Sequence, residues 1–142
     1  MMEINLFGTV YCAAHCAFYM SKNKSEERGV IINIASVAAY EAARGMISYG
    51  ASKGAVAGIA LPMARDLGKF GIRVVTIAPA IVRTPMAALL SHEELAKKIL
   101  ADYPLGRFGE PENISSFVVE SIQNSFLNGT VTRIDGGSVN PY

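Results

Sequence analysis

Tyr49 and Lys53 stand four residues apart in a stretch with helical periodicity, so both side chains project from one face. The pair suits proton transfer by a phenol. A free tyrosine has a pKa of about 10, too high for ready exchange at neutral pH, and a neighbouring ammonium favours the phenolate. Alone, the pair says little. Six tyrosines and six lysines in 142 positions give roughly a quarter of one Tyr-x-x-x-Lys pair by chance, and an exposed helix pair is the bland alternative. Its setting says more. Ser36 lies 13 residues before Tyr49, just past a short apolar run that ends Asn33-Ile34-Ala35-Ser36. In an open parallel sheet, ligands bind beyond the carboxyl ends of the strands. A second apolar run ends in Pro79-Ala80-Ile81-Val82-Arg83-Thr84-Pro85, which places the Thr84 hydroxyl beyond another strand end. Two strand-end loops and one helix would meet at one crevice, where they could converge on a single carbonyl.

The elements that must position these residues alternate along the chain. Residues 3–21 read as a helix with no N-cap ahead of the apolar run. Residues 22–29 are a polar break. Val30–Ile34 is a continuous apolar run, as expected of a strand covered on both faces. A small-residue loop is expected over 35–46, then a helical stretch over 47–67 with a kink or local unwinding at Pro62. Ile72–Ala78 is a second buried-type strand, stopped by Pro79. A loop followed by an amphipathic helix spans 84–101, a loop 103–111, a helix 112–123 and a last strand 130–134. Strands alternating with helices predict an α/β fold with a mostly parallel sheet in a single domain, 1–142. The first strand would then leave an unpaired apolar edge, so another segment or another chain is expected to cover it.

Composition narrows the partners. The chain is 51% hydrophobic, ample for a packed core, and its net charge of +1 is spread without runs of either sign. That balance argues against nucleic acid or an acidic membrane surface as the main partner. Ile4–Ser21 lacks charged residues, but Asn5, Thr9, Tyr11 and His15 interrupt it and no basic flank precedes it. A membrane span needs roughly 20 predominantly apolar residues, so a buried helix is the reading and no membrane partner is expected. Cys12 and Cys16, one helical turn apart, are poorly placed for a disulfide framework and suggest a reducing compartment. With His15 they share a face. Zinc sites favour loop-separated pairs, so a buried or interface helix face is expected rather than a metal.

Taken in order, Asn33-Ile34-Ala35-Ser36, Tyr49-Gly50-Ala51-Ser52-Lys53 and Ile72-Arg73-Val74 through Thr84-Pro85-Met86 resemble successive motifs of the short-chain dehydrogenase/reductases. Asn5-Leu6-Phe7-Gly8 resembles the family's Asn-x-x-Gly segment, and Arg107-Phe108-Gly109-Glu110-Pro111-Glu112 its later loop. The resemblance runs over essentially all of the sequence. It implies a partial Rossmann-type doubly wound parallel sheet, the last three strands with their helices, and a missing N-terminal dinucleotide-binding half. It also implies roles: Tyr49 as general acid/base, and Ser36 holding and polarising the substrate carbonyl or hydroxyl. Lys53 would bind the nicotinamide ribose and favour the phenolate, and Asn5 would support a water-linked proton relay behind it. Pro79, the Val82 backbone and Thr84 would lie at the nicotinamide, the last two at its carboxamide. The implied cofactor is NAD, with NADP left open.

Finer matches at Gly29–Asn33, Ser36–Glu41, Leu61–Leu67 and Phe126–Gly136 resemble the type-2 3-hydroxyacyl-CoA dehydrogenases, which also oxidise hydroxysteroids. They imply a secondary alcohol or ketone substrate, a place in fatty acid metabolism and a cytoplasmic or mitochondrial location. They also imply a homo-oligomer, a tetramer in that branch, built through helices 4–21 and 47–67. The family's Thr-Gly-x-x-x-Gly-x-Gly phosphate loop is not in the sequence, and a fragment, a mis-started gene model or a shortened isoform is expected. Gly50, Gly54 and Gly58 do not replace that loop. Spacing by four puts them on one helical ridge, which permits close backbone approach, whereas a phosphate loop needs a turn opening a helix after a strand. Ala80 stands where the family usually has glycine, which matters if φ is positive there. Two readings follow: an NAD(P)-dependent oxidoreductase, or a non-catalytic module that pairs subunits.

Overall fold

Three strands pair in the order β1-β2-β3, where β1 is Gly29–Ile34, β2 Ile72–Pro79 and β3 Thr130–Ile134. The computed structural model describes residues 1–87 and 92–138. Both ladders are parallel, running from Gly29 opposite Ile72 to Ile34 opposite Ile77, and from Val75 opposite Thr130 to Pro79 opposite Ile134. The central strand is buried from Ile72 to Ala78, which is what its unbroken apolar run requires. β1 hydrogen-bonds to β2 and to no other strand among the described residues, and Ile34 at its end is 46% exposed. The expected bare edge is present.

Helices α1 (Gly8–Met20) and α4 (Ala60–Gly68) cover one face of the sheet, where Ala13, Ala17 and Ala64 pack on Ile31, Ile72 and Val74. Alanines there let the helix backbones approach closely. On the same face, α3 (Ile47–Gly58) packs Val56 and Ala57 on Ala35 and Ala78. Helices α5 (Glu93–Leu100) and α6 (Pro111–Gln123) follow β2, with residues 88–91 of the expected loop-and-helix segment outside the described residues. Arg73 on β2 fixes α6 from its carboxyl end. Its guanidinium donates to the carbonyls of Ser121 (2.8 Å), Ile122 (2.9 Å) and Leu127 (3.0 Å), and to Glu27 Oε1 at 2.6 Å. A cation at the negative end of a helix is favourable, and the four acceptors give each guanidinium nitrogen a partner.

Two expectations are corrected and a third, the disturbance at Pro62, takes the form of local unwinding. The helix expected over 47–67 is two helices, α3 and α4, separated at Ile59. Pro62 has no N–H for the carbonyl of Gly58 and its ring crowds that carbonyl, so of the two expected disturbances, kink or local unwinding, the ladder shows the second. The loop expected over 35–46 contains a one-turn helix, α2 (Ala38–Glu41). The first helix does not run uniformly from residue 3: Glu3–Phe7 is a π-helical turn, closed by the Gly8 N–H donating to the Glu3 carbonyl, and α1 begins after it.

The glycine ridge has the consequence expected of it, but only in part. A Cβ at Gly50 would lie 2.7 Å from Ala42 Cβ and 3.0 Å from the Ala38 carbonyl, and one at Gly54 would lie 3.5 Å from the Ala39 carbonyl. Helices α2 and α3 therefore touch backbone to backbone. Gly58 has nothing within 4 Å and lies beyond this contact. Ala80 needs no glycine, because positive φ is confined to glycines among the described residues. Among those residues, no helix is long and apolar enough to cross a membrane.

Candidate active site

Ser36 sits on an extended continuation of β1. The amides of Ala35 and Val37 on either side of it donate to the β2 carbonyls of Ile77 (2.7 Å) and Pro79 (3.0 Å). Ser36 Oγ accepts the Ala38 N–H at 3.1 Å and so opens α2. A serine is favoured at such a helix start because its side chain satisfies an amide that has no partner within the turn.

Tyr49 and Lys53 leave α3 on one face, with Lys53 Nζ 5.9 Å from the centre of the Tyr49 ring. Nζ donates to the Ile34 carbonyl at 2.8 Å. That bond lays the ammonium over the carboxyl end of β1, two residues from Ser36. Burial pushes the Lys53 pKa below its ordinary 10.5, because leaving water disfavours the charged form. The expected meeting of helix and strand end is formed, with α2 as the wedge between them.

Asn5 lies in the π-helical turn, a geometry often found where a side chain must be re-aimed. Its carbonyl accepts the Thr9 hydroxyl at 2.8 Å, and its Nδ2 donates to Ser52 Oγ at 3.0 Å. Ser52 is fully buried and donates onward to the Tyr49 carbonyl at 2.8 Å. The structure thus connects Asn5 to the Tyr49–Lys53 helix through Ser52, which sequence reasoning did not single out. The available signal was a polar residue three positions after Tyr49, on the buried side of the helix.

The second strand-end loop makes contacts of its own. Val82 is bridged to Gly109 by bonds from the Arg83 N–H to Gly109 O (2.9 Å) and from the Gly109 N–H to Ile81 O (3.0 Å). Both bonds use the neighbours of Val82, so its own amide is directed away from Gly109. Thr84 is exposed and its hydroxyl reaches the Val82 carbonyl at 3.4 Å. Pro79 ends β2 and accepts the Val37 amide. Among the described residues no hydrogen bond joins Val82 or Thr84 to Tyr49 or Lys53. Thr84 instead borders an open, mostly apolar cleft of about 500 Å³ with Arg83, Pro85, Ala96, Leu100 and Phe108. Cys12 and Cys16 are exposed free thiols, so the face they share with His15 is not a buried one.

Parallel strands whose carboxyl ends carry the polar side chains, with one helix laid against them, place the molecule in the Rossmann-type α/β class. The chain belongs to the short-chain dehydrogenase/reductase family: residues 1–139 match the family model described as enoyl-(acyl carrier protein) reductase. Human 3-hydroxyacyl-CoA dehydrogenase type-2 is 42% identical over 140 residues, covering 96% of this chain and 53% of that protein. The crystal structure of 3-hydroxyacyl-CoA dehydrogenase type-2 from Mycobacterium avium superposes with a TM-score of 0.90 at 33% identity, covering 99% of this chain and 55% of that one. A 7α-hydroxysteroid dehydrogenase solved with NADH and 7-oxo glycochenodeoxycholic acid superposes with a TM-score of 0.89 at 31% identity, again over 99% and 55%. The chain spans about half the length of the curated relatives it matches.

Proposed function

We propose that this chain carries the proton-transfer half of an NAD(P)-dependent oxidoreductase that interconverts a secondary alcohol and a ketone. The observation that carries the reading is Lys53 Nζ on the Ile34 carbonyl at 2.8 Å, which holds the Tyr49 helix at the strand end where Ser36 stands. In this reading Ser36 Oγ hydrogen-bonds the substrate oxygen. Tyr49 moves one proton between its phenol and that oxygen, and the Lys53 ammonium stabilises the phenolate left behind. Asn5, through Ser52, supports the helix and a proton relay behind Lys53.

The residues fit the nicotinamide end of a cofactor: Lys53 and Tyr49 on the ribose side, with Pro79, the Val82 amide and the Thr84 hydroxyl on the carboxamide side. A bound nicotinamide supplies the hydride chemistry that no side chain can. The fit stops there, as no Gly-rich pyrophosphate loop is in the sequence. NAD rather than NADP, and a 3-hydroxyacyl-CoA or hydroxysteroid-like substrate, are supported by the names of the similar proteins.

Turnover of a 3-hydroxyacyl-CoA with NAD tests the reading. Tyr49→Phe keeps the ring and removes the proton. It is expected to lower kcat by on the order of a thousandfold with an unchanged melting temperature, and retained turnover in that variant would overturn the assignment.

A second reading, a subunit-pairing module, is favoured by one observation. Phe7, Tyr11 and Phe18 form an aromatic stripe along the first helical segments, 45%, 65% and 59% exposed. In this reading the 4–21 and 47–67 segments pair copies of the chain, or pair it with longer relatives.

A further inference from the structure

Helix α2 is a single turn, too short to hold its shape by its own hydrogen bonds, yet it stands between Ser36 and the helix of Tyr49. Its first amide is held by Ser36 Oγ, and its flank rests on Gly50 and Gly54 of α3. Its far end is held from the opposite edge of the sheet. Arg133 on β3 donates through Nη2 to Glu41 Oε1, and its Cζ lies 5.9 Å from the centre of the Tyr40 ring. Arg133 is itself braced. Nε donates to Asp135 Oδ2 at 2.5 Å and Nη2 to the Ser138 carbonyl at 2.7 Å, so the guanidinium has little freedom to follow α2 if α2 moves. The Glu41 and Asp135 side chains are 16% and 13% exposed. The Arg133 side chain is 33% exposed, so the network is partly screened, but its two carboxylates are better shielded than Glu93, which is 81% exposed in its surface pair with Lys97.

We propose that Arg133 and Glu41 are a positioning pair that sets, through α2, where Ser36 stands relative to Tyr49. The inference rests on the proposed reading of Ser36 as the group that holds the substrate oxygen and Tyr49 as its proton partner. With Glu41 shortened, the turn is free to pivot on its Gly50 contact. The Ser36 backbone stays on β2, held by the amides on either side of it, while its Oγ, bonded to the Ala38 amide, is re-aimed. The expected signature is a loss in kcat at an unchanged KM for the nucleotide, since the pair acts on the Ser36 side of the site.

The test compares Glu41→Ala, Glu41→Gln and Arg133→Lys in the full chain. Two readouts are used: turnover of a 3-ketoacyl-CoA with NADH, and the fluorine resonance of Tyr49 in 3-fluorotyrosine-labelled protein, assigned with Tyr49→Phe. Glu41→Ala is expected to lower kcat by roughly ten- to a hundredfold and to shift the Tyr49 resonance. Glu41→Gln, which keeps an acceptor oxygen, restores most of both. Unchanged kcat and an unmoved resonance in Glu41→Ala overturn the proposal. So does an equal movement of every tyrosine, which would mean general loosening of the fold. If the unaltered chain turns over no ketone, the proposed reaction fails, while the Tyr49 resonance still decides whether the pair positions α2. If Glu41→Ala does not fold, Arg133→Lys takes its place: it keeps the charge but cannot reach Glu41, Asp135 and Ser138 at once, and the same outcomes apply.

Discussion

Burial around Lys53 disfavours its ammonium and holds its pKa below the ordinary 10.5. Between that lowered value and 10.5 the unfolded chain binds a proton that the folded chain does not. Stability from this group therefore rises with pH across the window, and the penalty for burying the ammonium is fully present below it. Urea midpoints of the natural chain and Lys53→Met are followed from neutral pH to 10.5, and that of the natural chain is expected to rise steadily relative to the variant's. A constant difference would mean that burial does not act on this lysine. The same shift means the positive charge beside Tyr49 is lost at a lower pH than on a solvated lysine, so turnover should fall early on the alkaline side. At this scale the sequence was most legible where chemistry demands a residue type at a fixed spacing, as with Tyr49, Lys53 and Ser36. It was silent on Ser52, because a buried serine inside a helix looks like any small residue until the partner of its hydroxyl is known.

Among the elements, α2 and α3 make the contact on which the site's spacing depends, and glycine is the reason it is possible. Adding a methyl at Gly50 meets Ala42 Cβ at 2.7 Å and the Ala38 carbonyl at 3.0 Å, whereas at Gly58 it meets nothing within 4 Å. Gly50→Ala is expected to destabilise by about 1–3 kcal/mol as α2 is pushed away. Gly58→Ala is expected to be neutral or to stabilise by up to about 1 kcal/mol through reduced unfolded-chain entropy. Chemical denaturation of the two variants checks both, and equal effects would show that α2 does not rest on this ridge. Periodicity alone placed the long elements but not these details. The break at Ile59 follows from Pro62 acting one turn back on Gly58, and the sequence reading set the disturbance at the proline itself. The one turn of α2 has too few residues to display a period at all.

For the whole molecule, the parallel sheet was legible from the alternation of apolar runs with helical stretches. Its order could not be read without pairing partners, since strand neighbours are chosen by packing across long separations. The bare edge of β1 and the stripe of Phe7, Tyr11 and Phe18 leave apolar surface that a second polypeptide would cover favourably. Sedimentation of the chain is therefore expected to show self-association. Tyr11→Glu, which places a charge in the middle of the stripe, is expected to weaken the association at least tenfold. A monomer at every concentration would remove the pairing reading without touching the catalytic one.

The Arg73 clamp also has a temporal side. Its carbonyl partners lie 48, 49 and 54 residues downstream, at Ser121, Ile122 and Leu127. During synthesis β2 therefore emerges carrying a guanidinium with Glu27 beside it but three of its four acceptors not yet translated, and the middle of the sheet cannot close dry around it. Docking of the carboxyl-terminal segment acts as the latch that commits the nascent chain to its fold, so a ribosome paused before residue 121 holds a product still open to chaperones and proteases.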